Sequence, residues 1–76
     1  MEVLLFGISK DLCGERSCRI HQEMTVAEVK KFLADRYPRF VEMPDYAVAV
    51  NERYATDDLT VGVDDTLAII PPVSGG

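Results

Sequence analysis

The 76-residue sequence has no tryptophan, only two cysteines and few basic residues. Its 8 Lys and Arg are outnumbered by 13 Asp and Glu, so the formal net charge is −5. A phosphate backbone is bound by clustered Lys and Arg, and this balance therefore argues against nucleic acid as a partner. An acidic surface instead favours basic protein partners, because complementary charge speeds their encounter.

The two cysteines, Cys13 and Cys18, are separated by four residues. This spacing matches neither a CxxC redox pair nor half of a zinc site, so we expect two inert thiols and no metal. A redox switch between the two thiols is the lesser alternative. The sequence also lacks a run of 18 apolar residues and a basic, apolar leader of the secretory type. We therefore expect no membrane span and a cytoplasmic location.

The first residues of the chain predict two strands of a single small domain. Residues 3–6 form a nearly continuous apolar run, which is typical of a strand buried on both faces. Gly7 ends this strand, and residues 8–14 have room for one helical turn. Residues 16–22 alternate unevenly between apolar and polar, and we expect them to form a second strand that pairs with the first.

The clearest local signal predicts a helix over residues 26–37. Thr25 and Glu28 have the spacing of a capping box, in which each side chain satisfies a free N–H group of the first turn. Pro38 ends the helix because the residue before a proline disfavours the α conformation. The apolar residues of this segment recur at spacings of three and four and form one stripe: Val26, Val29, Phe32, Leu33 and Tyr37.

The second half of the chain predicts three more strands. A loop over residues 39–45 leads to an alternating strand at residues 46–50, and the Asn51-Glu52 turn leads to a short strand at residues 53–55. Polar turns follow, and residues 67–70 form the last strand, which Pro71 and Pro72 end because neither can donate to a ladder.

The predicted order is therefore β-β-α-β-β-β, an α+β fold in which a mixed sheet packs on one main helix. The first and last strands are the most continuously apolar, so we place them side by side at the centre of the sheet. A hairpin, a crossover helix and a returning strand make a β-grasp arrangement.

The last six residues, Pro-Pro-Val-Ser-Gly-Gly, predict an extended tail over residues 71–76 that follows a domain over residues 1–70. Two prolines favour polyproline II, so the tail would span roughly 18 Å at about 3.1 Å per residue. Gly75 and Gly76 have no Cβ and suit a narrow slot. The terminal carboxylate of Gly76 is an anion at neutral pH and needs activation, for example adenylation, before a nucleophile can attack it.

Other candidate sites are weaker. Ser74 is a poor candidate for a nucleophile, because a hydrolytic triad needs a base and the one histidine, His21, is expected on the second strand. The acidic pairs Asp57-Asp58 and Asp64-Asp65 lie in predicted turns, where Asp is favoured for local backbone hydrogen bonds rather than for metal binding.

Several stretches together resemble one known family: residues 3–7 with 10–14, 49–51, 59–66 and 69–76. The most specific is the last, Ile-Ile-Pro-Pro-Val-Ser-Gly-Gly. These stretches are similar to the small subunit of molybdopterin synthase (MoaD), in order and over nearly the whole chain. The resemblance implies a ubiquitin-like β-grasp fold, which agrees with the element order.

The resemblance also implies a function as a sulfur carrier. Gly76 would be adenylated by an ATP-dependent enzyme related to ubiquitin-activating enzymes, and a sulfurtransferase would then convert it to a thiocarboxylate. The tail, from Pro71 and Pro72 through Val73 and Ser74 to Gly75, would enter the large synthase subunit of a heterotetramer. There the sulfur would pass to a cyclic pterin precursor. The chain itself would hold no permanent cofactor and no catalytic residue, and the ATP would be used by its partner.

By the same resemblance, Phe6, Tyr54 and Ile70 lie at the contact surface for both partners, although a core position is equally open for Phe6. We expect an apolar patch around the tail, ringed by acidic residues. The sequence departs from the family's usual Gly-Asp at Asp64-Asp65, and has Ile69-Ile70 where aromatic residues are common.

Three other functions stay open at this point. The first is a β-grasp sulfur carrier for another pathway, such as thiamine synthesis, tRNA thiolation or cysteine synthesis. The second is a ubiquitin-like modifier whose Gly76 is joined to a target lysine. The third is an interaction domain in which the two final glycines are accidental.

Overall fold

The structure, a computed structural model, describes residues 1–43 and 45–72. None of the helices in these residues is long and apolar enough to cross a membrane. The helices are α1 (Ile8–Cys13), α2 (Val26–Arg36) and a 3₁₀ helix at Pro38–Glu42. The strands are β1 (Glu2–Leu5), β2 (Ser17–Arg19), β3 (Met24–Thr25), β4 (Ala47–Val50), β5 (Arg53–Tyr54), β6 (Thr60–Val61) and β7 (Thr66–Ile70).

Five strands form the main sheet, in the order β2-β1-β7-β4-β5. β1 and β7 lie side by side at its centre, as predicted. They run parallel, and the remaining pairs are antiparallel. β3 and β6 pair separately in a two-stranded sheet. A mixed sheet crossed by one main helix is the predicted β-grasp fold, and this prediction is confirmed.

α2 covers one face of the main sheet. The capping box predicted at its start is present: Thr25 Oγ1 accepts from the Glu28 N–H at 3.2 Å, and Glu28 Oε1 accepts from the Thr25 N–H at 2.9 Å. The helix ends at Arg36, and Pro38 opens the 3₁₀ helix. The core joins alternate residues of the central strands to the helix: Val3, Leu5, Val48, Val50, Leu67 and Ile69 with Val26, Val29 and Leu33.

The expectation that the first strand is buried on both faces is wrong. Val3 and Leu5 are buried, whereas Glu2 and Leu4 are half-buried, because α2 covers only one side of the sheet. Phe6 lies beyond the end of β1 and outside the core.

Two other segments also differ from expectation. Residues 8–13 form the six-residue helix α1 rather than a single turn, and Gly14 ends it as expected. Much of the predicted loop over residues 39–45 is the 3₁₀ helix, in which buried Phe40 packs into the core and proline takes the first position. The pair of β3 and β6 was not predicted, because strands of two residues show no hydrophobic period.

Candidate functional site

The predicted tail begins where β7 leaves the main sheet. β7 pairs with β1 on one side and with β4 on the other, and Pro71 and Pro72 follow it outside any strand. Pro71 is half-buried and Pro72 is exposed. Val73, Ser74, Gly75 and Gly76 lie outside the described residues, so the extended tail and the boundary at residue 70 stay predictions.

The face of the main sheet opposite α2 carries an apolar groove beside the root of the tail. The groove has a volume of about 380 Å³. We call this surface the open face, and its apolar side chains come from β1, β4, β5, β7 and the residue after β1: Leu4, Phe6, Ala49, Tyr54, Ala68 and Ile70.

The three predicted contact residues are brought together in this groove. Phe6 is 50% exposed and Tyr54 is 78% exposed, while Ile70 is half-buried. The alternative core position for Phe6 is therefore wrong. The role of these residues in partner binding stays a prediction. Leu4 and Ala68 were missed as lining residues, although the period of two along β1 and β7 could have identified them.

Acidic residues lie on one side of the open face and basic residues on the other. Glu52 lines the groove, and Asp45 lies in the adjoining hollow with Tyr54, Ile70 and the two prolines. On the side of Phe6 and Gly7, the neighbouring hollow is lined by Lys10 and Arg16. The expected acidic ring is therefore wrong on that side, where the rim is basic.

The turn that leads into β5, the strand of Tyr54, is hydrogen-bonded to the start of β7. Asn51 and Glu52 have φ values of 50° and 70°, which suit a two-residue hairpin turn between β4 and β5. The Asn51 side chain donates to Asp65 Oδ1 at 3.0 Å and accepts from the Thr66 N–H at 3.0 Å. These bonds hold the β4–β5 turn, at one side of the groove, against the start of β7.

Asp64 stands where the family usually has glycine, and its φ is not positive, so this departure causes no strain of the backbone. Asp65 is the residue that the chain shares with the family's usual Gly-Asp. Its Oδ2 accepts from the Gly62 N–H at 2.7 Å, and so closes the turn before β7. The hydrogen bonds from Asn51 and Gly62 lower the pKa of Asp65, because they favour the ionised carboxylate. The acidic side chain is thus used structurally.

The other candidate residues lie apart from the groove and have structural surroundings. Cys13 and Cys18 both pack on the core, and burial raises the pKa of each thiol, which keeps it protonated and unreactive. His21 is exposed and lies beyond the end of β2 rather than in the strand. Asp57 forms an ion pair with Lys30 at 2.7 Å. Within residues 1–43 and 45–72, no three potential metal ligands lie together.

Known proteins resemble this chain along its whole length. The model of the ThiS family matches residues 3–76. A molybdopterin synthase sulfur carrier subunit from Arabidopsis thaliana is 35% identical over 79 residues, which cover 100% of this chain and 82% of the relative. A Homo sapiens protein of the same name is 33% identical over 82 residues, covering 100% of this chain and 93% of the relative.

The fold is also shared with a solved structure. Small archaeal modifier protein 1 (SAMP1) from Haloferax volcanii matches with a TM-score of 0.80 and 26% identity, covering 99% of this chain and 97% of that one. The sequence resemblance to the molybdopterin synthase small subunit is confirmed by the relatives. The chain therefore belongs to the ThiS family of ubiquitin-like sulfur carriers.

Proposed function

We propose that this protein is the sulfur-carrier small subunit of molybdopterin synthase. The observation that carries the proposal is an apolar groove at the root of a tail ending in Gly75-Gly76, in a chain 35% identical to a subunit of that name. A groove for docking and a slim terminus for reaction are the two parts that a carrier needs.

The chemistry takes place at the carboxylate of Gly76. As an anion it resists nucleophilic attack, so an adenylating enzyme first joins it to the AMP part of ATP and releases pyrophosphate. The terminal sulfur of a persulfide on the sulfurtransferase then attacks the acyl carbon and displaces AMP, which gives an acyl disulfide. A thiol reductant cleaves its S–S bond and leaves the thiocarboxylate. ATP is thus a substrate of the activating partner, and this chain contributes the acyl group.

The large synthase subunit is the partner that receives the loaded tail, in a heterotetramer with this chain. Ile70 lines the groove and directly precedes Pro71. A partner that covers the groove therefore also holds the base of the tail. Two stiff prolines then carry this alignment toward Gly76, where the sulfur is passed to a cyclic pterin precursor.

Intact mass spectrometry tests the first half of the proposal, the activation and sulfur loading of Gly76. The full chain is incubated with ATP, a cognate adenylating enzyme and a sulfur donor, and we expect the mass change of one oxygen-to-sulfur exchange. A chain shortened by Gly76 is the matched control and should show no change. Full-length protein that stays unmodified with every cognate pair of partners would contradict the sulfur-carrier function.

A second experiment tests the pathway, that is, the acceptor to which the sulfur passes. The thiocarboxylated chain is mixed with the large synthase subunit and the pterin precursor, and loss of sulfur from the chain should accompany formation of the dithiolene product. Transfer of sulfur only to a thiamine, tRNA or cysteine pathway acceptor would instead place the carrier in another pathway.

A covalent protein modifier is the second candidate, and the 26% identity to SAMP1 over 99% of this chain favours it. In that function the Gly76 adenylate would be attacked by a lysine amine and form an isopeptide bond. Digestion of conjugates after incubation with ATP and extract would identify Gly76 joined to lysine side chains. Conjugates that persist after deletion of Gly76 would exclude this chemistry.

A further inference from the structure

Ser9 is a polar side chain fully buried within the fold, at the second position of α1. Its Oγ accepts from the Phe6 N–H at 2.9 Å and donates to the Phe6 carbonyl oxygen at 2.5 Å. The N–H of Ser9 donates to the same carbonyl at 3.1 Å. A single residue therefore satisfies both backbone groups of Phe6 at the point where β1 leaves the sheet.

Gly7 connects this arrangement to the tail. Its φ of 54° and ψ of −129° are open to glycine and strained for other residues. A Cβ added to Gly7 would lie 3.5 Å from Cγ of Pro71. We call residues 6–9 the Phe6–Ser9 turn, and the back of this turn lies against the first residue of the tail.

The register of the sheet explains this proximity. Leu5 and Ile69 are partners in the parallel pair of β1 and β7, so the two strands leave the sheet at the same level. The Phe6–Ser9 turn follows one strand, and Pro71 follows the other one residue later. Ser9 itself is not exposed, yet its hydrogen bonds fix the backbone of Phe6, which lines the groove, next to Gly7, which lies against Pro71.

We propose that Ser9 is a positioning residue for the reactions of the tail. Its hydroxyl holds the Phe6–Ser9 turn in one conformation, and the turn keeps Phe6 and Pro71 in the relative orientation that the activating enzyme binds. The inference rests on the proposed function. Without the hydroxyl, the Phe6 N–H loses its buried partner, and the turn is formed in only part of the population.

The kinetic consequence differs from that of a general loss of stability. An enzyme that binds only the formed turn sees a reduced concentration of competent carrier, so its KM rises in proportion, whereas kcat for the bound complex is unchanged. If the turn is formed in one molecule in ten, KM rises about tenfold.

The test compares Ser9→Thr with Ser9→Val in the full chain. Threonine and valine have nearly the same shape, so both add the same bulk, and only threonine keeps the hydroxyl. ATP–pyrophosphate exchange by a cognate adenylating enzyme gives KM and kcat for each carrier. We expect the KM of Ser9→Val to be about tenfold above that of Ser9→Thr, with kcat equal within about twofold.

Val29→Ala is the control for a general loss of stability. Val29 is buried in α2 and does not line the groove. Assayed where urea titration shows every variant folded, it should leave KM unchanged. A KM for Val29→Ala as high as that of Ser9→Val would overturn the proposal, and so would equal KM values for the threonine and valine variants. Wild-type protein that supports no exchange would instead overturn the proposed function and this inference with it.

Gly7→Ala keeps the proposal testable if Ser9→Val does not fold. The substitution strains the same turn, because Gly7 has a positive φ that alanine disfavours. Gly7 is exposed, and the substitution leaves no buried polar group unpaired. We expect KM to rise severalfold with kcat unchanged. An unchanged KM for Gly7→Ala would show that the conformation of the turn does not matter to the enzyme.

Discussion

The two faces of the central strands are built from the same kind of residue and have different uses. On the face toward α2, Val3, Leu67 and Ile69 are each 0% exposed. On the open face, Leu4 and Ile70 are only half-buried and line the groove. Adjacent residues of one strand thus divide between the buried core and the groove that we propose as a docking surface.

The difference teaches that hydrophobicity alone does not distinguish core from exposed groove in this protein. β7 reads Thr-Leu-Ala-Ile-Ile, and its last two residues are chemically identical. Ile69 faces the helix and Ile70 faces the groove, because successive side chains of a strand point to opposite sides. Substitutions at this pair therefore test the comparison directly.

Ile69→Asp should have the largest effect, the loss of the folded state. Burial of an unpaired carboxylate costs several kcal/mol, which is comparable with the total stability of about 5–15 kcal/mol for a small domain. Circular dichroism and urea titration should show no cooperative transition at neutral pH. A folded Ile69→Asp protein would mean that the two faces have been assigned the wrong way round.

Ile70→Asp should keep the fold and weaken partner binding. The charged group lies at the edge of the groove, where water still reaches it, but it would be buried when a partner covers the open face. Calorimetry with the large synthase subunit and with the adenylating enzyme should show at least about a tenfold loss of affinity, or about 1.4 kcal/mol.

Val41→Asp is the matched control for this change. Val41 is 74% exposed on the 3₁₀ helix and does not line the groove. Val41→Asp therefore replaces an apolar side chain with a carboxylate elsewhere on the surface. Equal loss of affinity for Val41→Asp and Ile70→Asp would show that added negative charge, not the open face, is responsible.

Thr25→Ala should lower stability without affecting recognition. It removes the half of the capping box in which Thr25 Oγ1 accepts from the Glu28 N–H, far along the chain from the tail, and keeps the bond from the Thr25 N–H to Glu28. We expect the free energy of unfolding to fall by about 1 kcal/mol. Urea titration measures the loss, and Thr25→Ser should restore most of it. A change in the KM of the adenylating enzyme would show that the helix and the open face are coupled.

The ionisation of Tyr37 should have the smallest effect at neutral pH, because it changes stability only at high pH. Its hydroxyl donates to Glu15 Oε2 at 2.6 Å and accepts from Arg36 Nε at 3.1 Å. Burial, together with the bond to Glu15, raises the pKa of Tyr37 to about 12, from an ordinary value of about 10. The folded protein therefore holds this proton more tightly than the unfolded chain does.

The sign of the pH dependence follows from this difference. The stabilising contribution of Tyr37 is fully present below about pH 10 and is lost as the pH rises through about 12. Urea titrations at increasing pH should show a steeper decline for wild-type protein than for Tyr37→Phe. Parallel declines would mean that Tyr37 titrates alike in the folded and unfolded chains.

Local features were predicted well because their causes lie within a few residues. The capping box and Pro38 define α2 to within one residue of the predicted range, and Asn51-Glu52 forms the predicted turn. The 3₁₀ helix and the pairing of β3 with β6 were missed, because each depends on distant contacts rather than on a local pattern.

The candidate site was predicted only in part. Phe6, Tyr54 and Ile70 do meet in one groove, but the basic side formed by Lys10 and Arg16 was not expected. Ser9 gave no signal in the sequence, since a lone serine in a short helix is ordinary. Its importance comes from burial and from two hydrogen bonds to Phe6, which exist only in the folded chain.

The sequence by itself determined the main helix and the central position of the first and last strands, and it predicts a glycine-ended tail suited to activation. These properties depend on residue type and short-range spacing. Only the tertiary structure decided which of two adjacent isoleucines is core, and that the Phe6–Ser9 turn lies against Pro71. Alternation shows that a strand has two different faces, but the packing of α2 decides which of them is covered.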